Sequence, residues 1–114
     1  MRFGKASRLR LRREFLAVQE RGRRLSAREY AVLALPHTGP CARLGVTVSS
    51  KVGKAVVRNR VKRWVRVAFR EVAAELPAVD LVVIARRGAV EGGLAAARRA
   101  LAEASGVLAA EARR

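Results

Sequence analysis

The chain is poor in the residues that cross-link, ligate metal or do chemistry. Its 114 residues include one cysteine, Cys41, and one histidine, His37. A disulfide framework needs paired cysteines and a zinc module needs a set of Cys and His ligands, so both are excluded, as is catalysis by a Cys/His couple. Acids are scarce too: 9 Asp and Glu stand against 25 Lys and Arg, for a net charge of +16. They are scattered along the chain rather than clustered, which argues against a self-sufficient nuclease holding Mg²⁺ on carboxylates. Asp80, at the mouth of a strand, is expected to cap or to pair with an arginine.

Long apolar runs are also missing. The longest, Tyr30 to Leu35, has six residues, against the roughly 20 that span a bilayer. No membrane partner is expected. The N-terminal stretch lacks the apolar segment of a secretory signal and leads without a break into an amphipathic helix, so it reads as structural rather than targeting, and a reducing cytoplasm is the expected setting. Aromatics make up 4% of the chain, and 22 of its residues are Ala. The core must therefore come from 16 Val and 12 Leu, enough for one modest domain. We read residues 1–114 as that single domain, with 1–7 a flexible basic tail.

What is abundant is arginine, 21 of the 25 basic residues. Its planar fork makes paired hydrogen bonds to phosphate, so a polyanion, most simply nucleic acid, is the expected partner. The distribution sharpens this. Residues 51–70 carry eight cations and no acid, and residues 1–30 carry ten against three Glu. Like charges four apart on a helix repel, so a fold gains nothing by stacking them.

Periodicity places the elements. Phe15, Leu16 and Val18 at helical spacing predict a helix over Arg12 to Arg21, with Gly22 as its cap. Glu29 to Leu35 and Arg43 to Ser49 read as two antiparallel strands around the turn Pro36-His37-Thr38-Gly39-Pro40. The second strand alternates Leu44, Val46 and Val48 with Gly45, Thr47 and Ser49, which leaves one face with small or hydroxyl side chains. From Lys54 to about Leu76, Val57, Val61, Trp64, Val65, Ala68, Phe69 and Val72 form one apolar stripe. Arg58, Lys62, Arg63, Arg66 and Arg70 interleave on the opposite side, with Arg60 on its flank, until Pro77 ends the helix. Asp80 to Arg86 is a strand apolar on both faces and hence interior. Gly88 to Gly93 reads as a loop, and a last helix from about Gly93 carries Leu94, Leu101 and Leu108. The expected fold is α+β, in the order αββαβα, with a small mixed sheet.

Gly53 allows close backbone approach, and the helix after it presents N–H groups suited to phosphate. Asn59, between two arginines, either reads a sugar or base edge or simply faces solvent. Trp64 and Phe69 read as core, and His37 as a surface residue without a catalytic neighbour.

The segment SSKVGKAVVRNRVKRWVRVAFRE resembles the signature of the protein subunit of bacterial ribonuclease P: Ser-x-Lys, then Gly-x-Ala-Val-x-Arg-Asn-Arg-x-Lys-Arg, then a further Arg and Phe-Arg. Ser49, Lys51, Gly53, Arg58, Asn59, Arg60, Lys62, Arg63, Arg66, Phe69 and Arg70 all fit it. The flanks agree as well, from Arg8-Leu-Arg and Phe15 on one side to Asp80-Leu-Val-Val-Ile-Ala-Arg on the other. The resemblance implies a ribosomal-protein-like fold with a left-handed βαβ crossover, where sequence physics alone favours the right-handed hand. It implies a non-catalytic subunit whose partners are the ribonuclease P catalytic RNA and the 5′ leader of precursor tRNA. The chemistry then lies in the RNA and its Mg²⁺, with no catalytic residue, metal site or cofactor on the protein and no obligate protein partner.

Carried over by the resemblance, Lys54, Arg58, Asn59, Arg60, Lys62, Arg63, Arg66 and Arg70 contact the catalytic RNA. Arg12, Phe15, Thr47, Ser49, Lys51 and Arg87 line or rim the leader cleft, between the first helix and the sheet. Gln19, Leu33 and Ser50 depart from the family, which often has aromatics at the first two positions and Lys at the third. The cleft here is expected to lean on charge more than on stacking. The alternative is a ribosomal or general RNA-coating protein, which would share the charge and the fold.

Overall fold

The computed structural model describes residues 8–112; the expected basic tail, 1–7, lies outside them. The elements are α1 (Arg12–Arg21), β1 (Arg23–Ala27), β2 (Tyr30–Pro36), β3 (Arg43–Val48), α2 (Ala55–Val72), β4 (Val79–Ala85) and α3 (Gly88–Ala112). A short 3₁₀ turn, Ala73–Glu75, closes α2 before Pro77. The class is α+β with a four-stranded mixed sheet, in the order β1-β2-β4-β3.

That order corrects the expected hairpin of β2 and β3. The two strands run in opposite directions but do not touch, because β4 lies between them, antiparallel to β2 and parallel to β3. The physical reason is visible in β4 itself. Val79, Leu81, Val82, Val83 and Ala85 are all buried, and a strand apolar on both faces is most stable in the middle of a sheet. The α2 crossover supplies the length needed to bring β4 in parallel beside β3.

Two further corrections concern the ends of elements. Strand β1 is absent from the expected order, since Arg23, Arg24 and the strand's short length hide its pattern; it pairs antiparallel with β2 through an irregularity between Arg24 and Ser26. The expected loop at Gly88 to Gly93 is instead the start of α3, with a kink at Gly93, whose φ of 62° is readily adopted by glycine.

The strand alternation sends side chains into two cores. On one face Val32, Ala34, Leu44, Leu81 and Val83 pack with α2 and α3, through Val61, Val65, Phe69, Ala97, Leu101 and their neighbours. Phe69 is buried there and Trp64 half-buried against it, as the stripe implies. Buried Tyr30 belongs to this core too; its hydroxyl has no partner among the described residues, and burial pushes its pKa up to about 12. On the other face Leu33 and Val82 pack with Leu9 and Val18, with Phe15, Leu35 and Ile84 half-buried around them. This second core is small because, among the described residues, only α1 and the segment before it, with Leu9, cover it.

Candidate nucleic-acid interface

Helix α1 is anchored by its own sequence. Glu14 Oε1 accepts the backbone N–H groups of Arg10 and Leu11, each at 3.0 Å, and so satisfies donors at the helix start. These two bonds, and the Arg43 guanidinium nearby, hold the Glu14 carboxyl below the usual carboxylate range. At the other end the Gly22 N–H reaches Val18 O at 2.7 Å, and the close approach leaves no space for a Cβ.

A three-residue bridge ties α1 to the sheet. The Arg43 guanidinium forks onto Asp80, with Nε and Nη2 each 2.7 Å from a carboxylate oxygen, and its Nη1 reaches Glu14 at 3.0 Å. Asp80 is 6% exposed, and the paired hydrogen bonds from Arg43 offset the burial of its carboxylate. The expectation that Asp80 pairs with an arginine is met. His37, expected at the surface, is half-buried beside the same network. One ring nitrogen lies 2.7 Å from Cys41 O, the other accepts the Gly39 N–H at 2.7 Å, and Nε2 is 3.6 Å from Asp80. Its role is to close the β2–β3 loop.

Phe15 projects from α1 across β3. A Cβ on Gly45 would lie 2.6 Å from its ring, so the glycine is what permits the ring to lie there. One side of the ring borders a trough of about 390 Å³ lined also by Arg10, Arg12, Leu16, Gln19 and Thr47. The trough thus gathers three of the residues expected at the leader cleft, Arg12, Phe15 and Thr47, and adds Arg10 and Leu16. Ser49 and Lys51 lie exposed just past β3, and Arg87 lies exposed just past β4. These three are not part of the trough's lining. They stand at the ends of neighbouring strands, since β3 and β4 run parallel.

The cations of α2 divide between two surfaces. Asn59, Arg60 and Arg63 share a shallow depression with Val56, which is 70% exposed. Arg66 and Arg70 turn instead toward α1 and line a cavity with Phe15. Lys62 is half-buried, and half-buried Arg58 donates to Gly53 O at 3.0 Å, steadying the loop before the helix. Lys54, the exposed residue at the N-cap, has no side-chain capping bond. Sequence periodicity puts Arg66 and Arg70 on one outward face with Arg63. The helix wheel alone cannot reveal that α1 folds down beside them, so their place in the cavity beside Phe15 is invisible to it. Arg8, Arg10 and Leu16 escape sequence reasoning for the same reason.

None of Lys54, Arg58, Arg60, Lys62, Arg63, Arg66 and Arg70 has an acidic partner among the described residues. An array of unneutralised guanidinium and ammonium groups beside an aromatic-edged trough can hold a phosphate backbone and stack its bases.

Known proteins match along most of the chain. The family description Ribonuclease P fits residues 3–108. The ribonuclease P protein component of Desulfovibrio desulfuricans is 49% identical over 94 residues, covering 80% of this chain and 72% of that protein. The counterpart from Thermotoga maritima is 42% identical over 86 residues, covering 75% and 74%. Among solved structures, the Staphylococcus aureus RNase P protein superposes with a TM-score of 0.80 at 29% identity, covering 90% of this chain and 95% of that one. The Thermotoga maritima RNase P protein gives 0.75 at 36%, covering 90% and 94%. With the Arg-Asn-Arg helix, the interior β4 and the α1 trough in place, the chain belongs to the bacterial ribonuclease P protein family.

Proposed function

We propose that this protein is the RNA-binding subunit of the ribonuclease P ribonucleoprotein and assists removal of the 5′ leader from precursor tRNA. Asn59, Arg60 and Arg63, flanked by Lys54, Arg58 and Lys62, form the surface toward the catalytic RNA. The trough of Arg12, Phe15 and Thr47 takes the leader, with Ser49, Lys51 and Arg87 as its polar and cationic rim. Cleavage belongs to the RNA and its Mg²⁺; the protein contributes binding and charge neutralisation, in the cytoplasm and without an obligate protein partner. The observation that carries this reading is the set of α2 cations with no acidic partner among the described residues, together with a trough edged by Phe15.

Reconstitution tests it. Added to the ribonuclease P RNA at low Mg²⁺, the protein should restore 5′ processing, because its cations neutralise phosphates that otherwise demand more metal. Protein alone with precursor tRNA and Mg²⁺ should cut nothing. Cleavage by the protein alone, or sedimentation with ribosomes and no rescue of the RNA, would overturn the assignment.

A further inference from the structure

The cavity on the other side of Phe15 differs in kind from the trough. It is smaller, about 130 Å³, and lies off the open edge of β3, between α1 and α2. Arg8, Arg66 and Arg70 line it, Gly45 and Val46 form its strand side, and no acid borders it. A cavity of about 150 Å³ takes one benzene ring. A space of this size matches a single six-membered ring better than a fused pair.

The strand edge supplies hydrogen-bonding groups. The Leu44 carbonyl points away from β4, since it accepts the Leu9 N–H at 3.0 Å. Backbone groups alternate from side to side along a strand, so the N–H and C=O of Val46 turn to the same open edge. Among the described residues, the pairing on that edge is the isolated Arg8–Leu44 bridge, which leaves the Val46 groups facing the cavity. A donor beside an acceptor complements uracil, which offers an imide N–H between carbonyls, and cytosine, which offers an amino group beside a ring nitrogen. The three guanidinium groups are suited to the attached phosphate.

We infer that this cavity is a binding site for one unstacked pyrimidine nucleotide of RNA, with the base against Val46 and Phe15 and the phosphate on Arg66 and Arg70. The inference rests on the RNA-binding reading above and deepens it. It gives Arg66 and Arg70 a base-selective task separate from the outward surface of Asn59, Arg60 and Arg63.

The test is an amide NMR titration of the full chain with uridine, cytidine, adenosine and guanosine 5′-monophosphates, and with inorganic phosphate alone. Uridine and cytidine monophosphates should move the Val46 amide saturably, with the purine nucleotides at least about fivefold weaker because the larger base matches the cavity less well. Arg66→Ala and Arg70→Ala should each weaken pyrimidine binding about tenfold, as removal of one charge-assisted hydrogen bond does, in an otherwise unchanged spectrum. A Val46 amide that does not move, equal responses to purine and pyrimidine, or the full response from phosphate alone would overturn the inference.

Abasic substitution then identifies the strand. Single pyrimidines are removed from the leader in one series and from unpaired segments of the catalytic RNA in another. One position should erase the affinity difference between wild type and Arg66→Ala; its absence from both series also overturns the inference. Binding of the catalytic RNA, measured with Arg60→Ala and Arg63→Ala in the same preparations, keeps the two readings apart. Loss of the pyrimidine response with that binding intact removes the cavity site alone. Failure of the catalytic RNA to bind removes the proposed function instead.

Discussion

Arginines on α3 and β1 and those on α2 are the same side chain in opposite circumstances. Arg98 of α3 forks onto Glu71, at distances of 2.9 to 3.2 Å, Arg99 reaches Glu29 at 3.2 Å, and Arg23 of β1 pairs with Glu111 of α3. Each of these pairs ties α3 to another part of the fold: α2, the turn between β1 and β2, or β1. On α2 the pairing stops: Glu71 sits on the flank toward α3, and the cations facing away from it have no acid among the described residues. The fold pairs these three arginines with acids where they tie segments together and leaves the α2 cations unpaired on the surface proposed to bind RNA. Arg43 shows the extreme of the first case, since it holds two acids at once, at the base of α1.

The largest stability effect should come from breaking that extreme. Asp80→Ala leaves the Arg43 guanidinium without its buried partner and should cost about 2–3 kcal/mol, below the range for a fully buried pair because Arg43 is partly exposed. Chemical denaturation with an unchanged m-value checks it; a loss under about 0.5 kcal/mol would mean that the bridge is unimportant. Phe15→Ala comes next, on the unneutralised side of the molecule. Precursor tRNA affinity should fall by about 1–3 kcal/mol, with mature tRNA, which has no leader, little affected. Phe15 also packs on Val18, Leu33 and Val82, so the melting temperature is measured in parallel. An equal loss for both tRNAs would assign the residue to packing alone.

Smaller effects should follow from the exposed pairs. Arg98→Ala should leave the denaturation midpoint close to wild type, as loss of an exposed ion pair does. The acid limb of the stability curve depends in part on Glu14. Its folded pKa is depressed, first by the Leu11 and Arg10 N–H groups and then by Arg43. Its contribution is therefore present above the pKa of the unfolded chain and lost as pH falls through the folded value. Glu14→Gln should flatten that loss in thermal melts recorded across the acid range. An acid limb identical to wild type would remove Glu14 from the account.

The sequence is most legible where one pattern has one physical meaning. The apolar stripe of α2 and the doubly apolar β4 lead directly to a buried helix face and a central strand. The pairing of β2 with β4 is hidden because antiparallel direction fits both a hairpin and an intervening strand, and local turn chemistry at Pro36 to Pro40 cannot separate them. Strand β1 is hidden because its arginines look like solvated loop, although the sheet edge suits them. At the site, residue types are readable and their grouping is not. Arg66 and Arg70 differ from Arg63 only in which neighbour folds against them, and that is a tertiary fact. Arg43 stands out in no local pattern, since its two acids lie far away in sequence, on α1 and β4.

The central claim is that charge left unpaired by the fold is the charge that binds RNA. It is tested most directly by the salt dependence of catalytic-RNA affinity in two double variants of equal charge change. For Arg60→Ala with Arg63→Ala, the slope of log affinity against log salt should become shallower by about two, one for each phosphate that is no longer neutralised. For Arg98→Ala with Arg99→Ala, which removes arginines already matched by Glu71 and Glu29, the slope should stay at its wild-type value. Equal flattening in both variants would show that net charge alone governs binding, and would contradict the account.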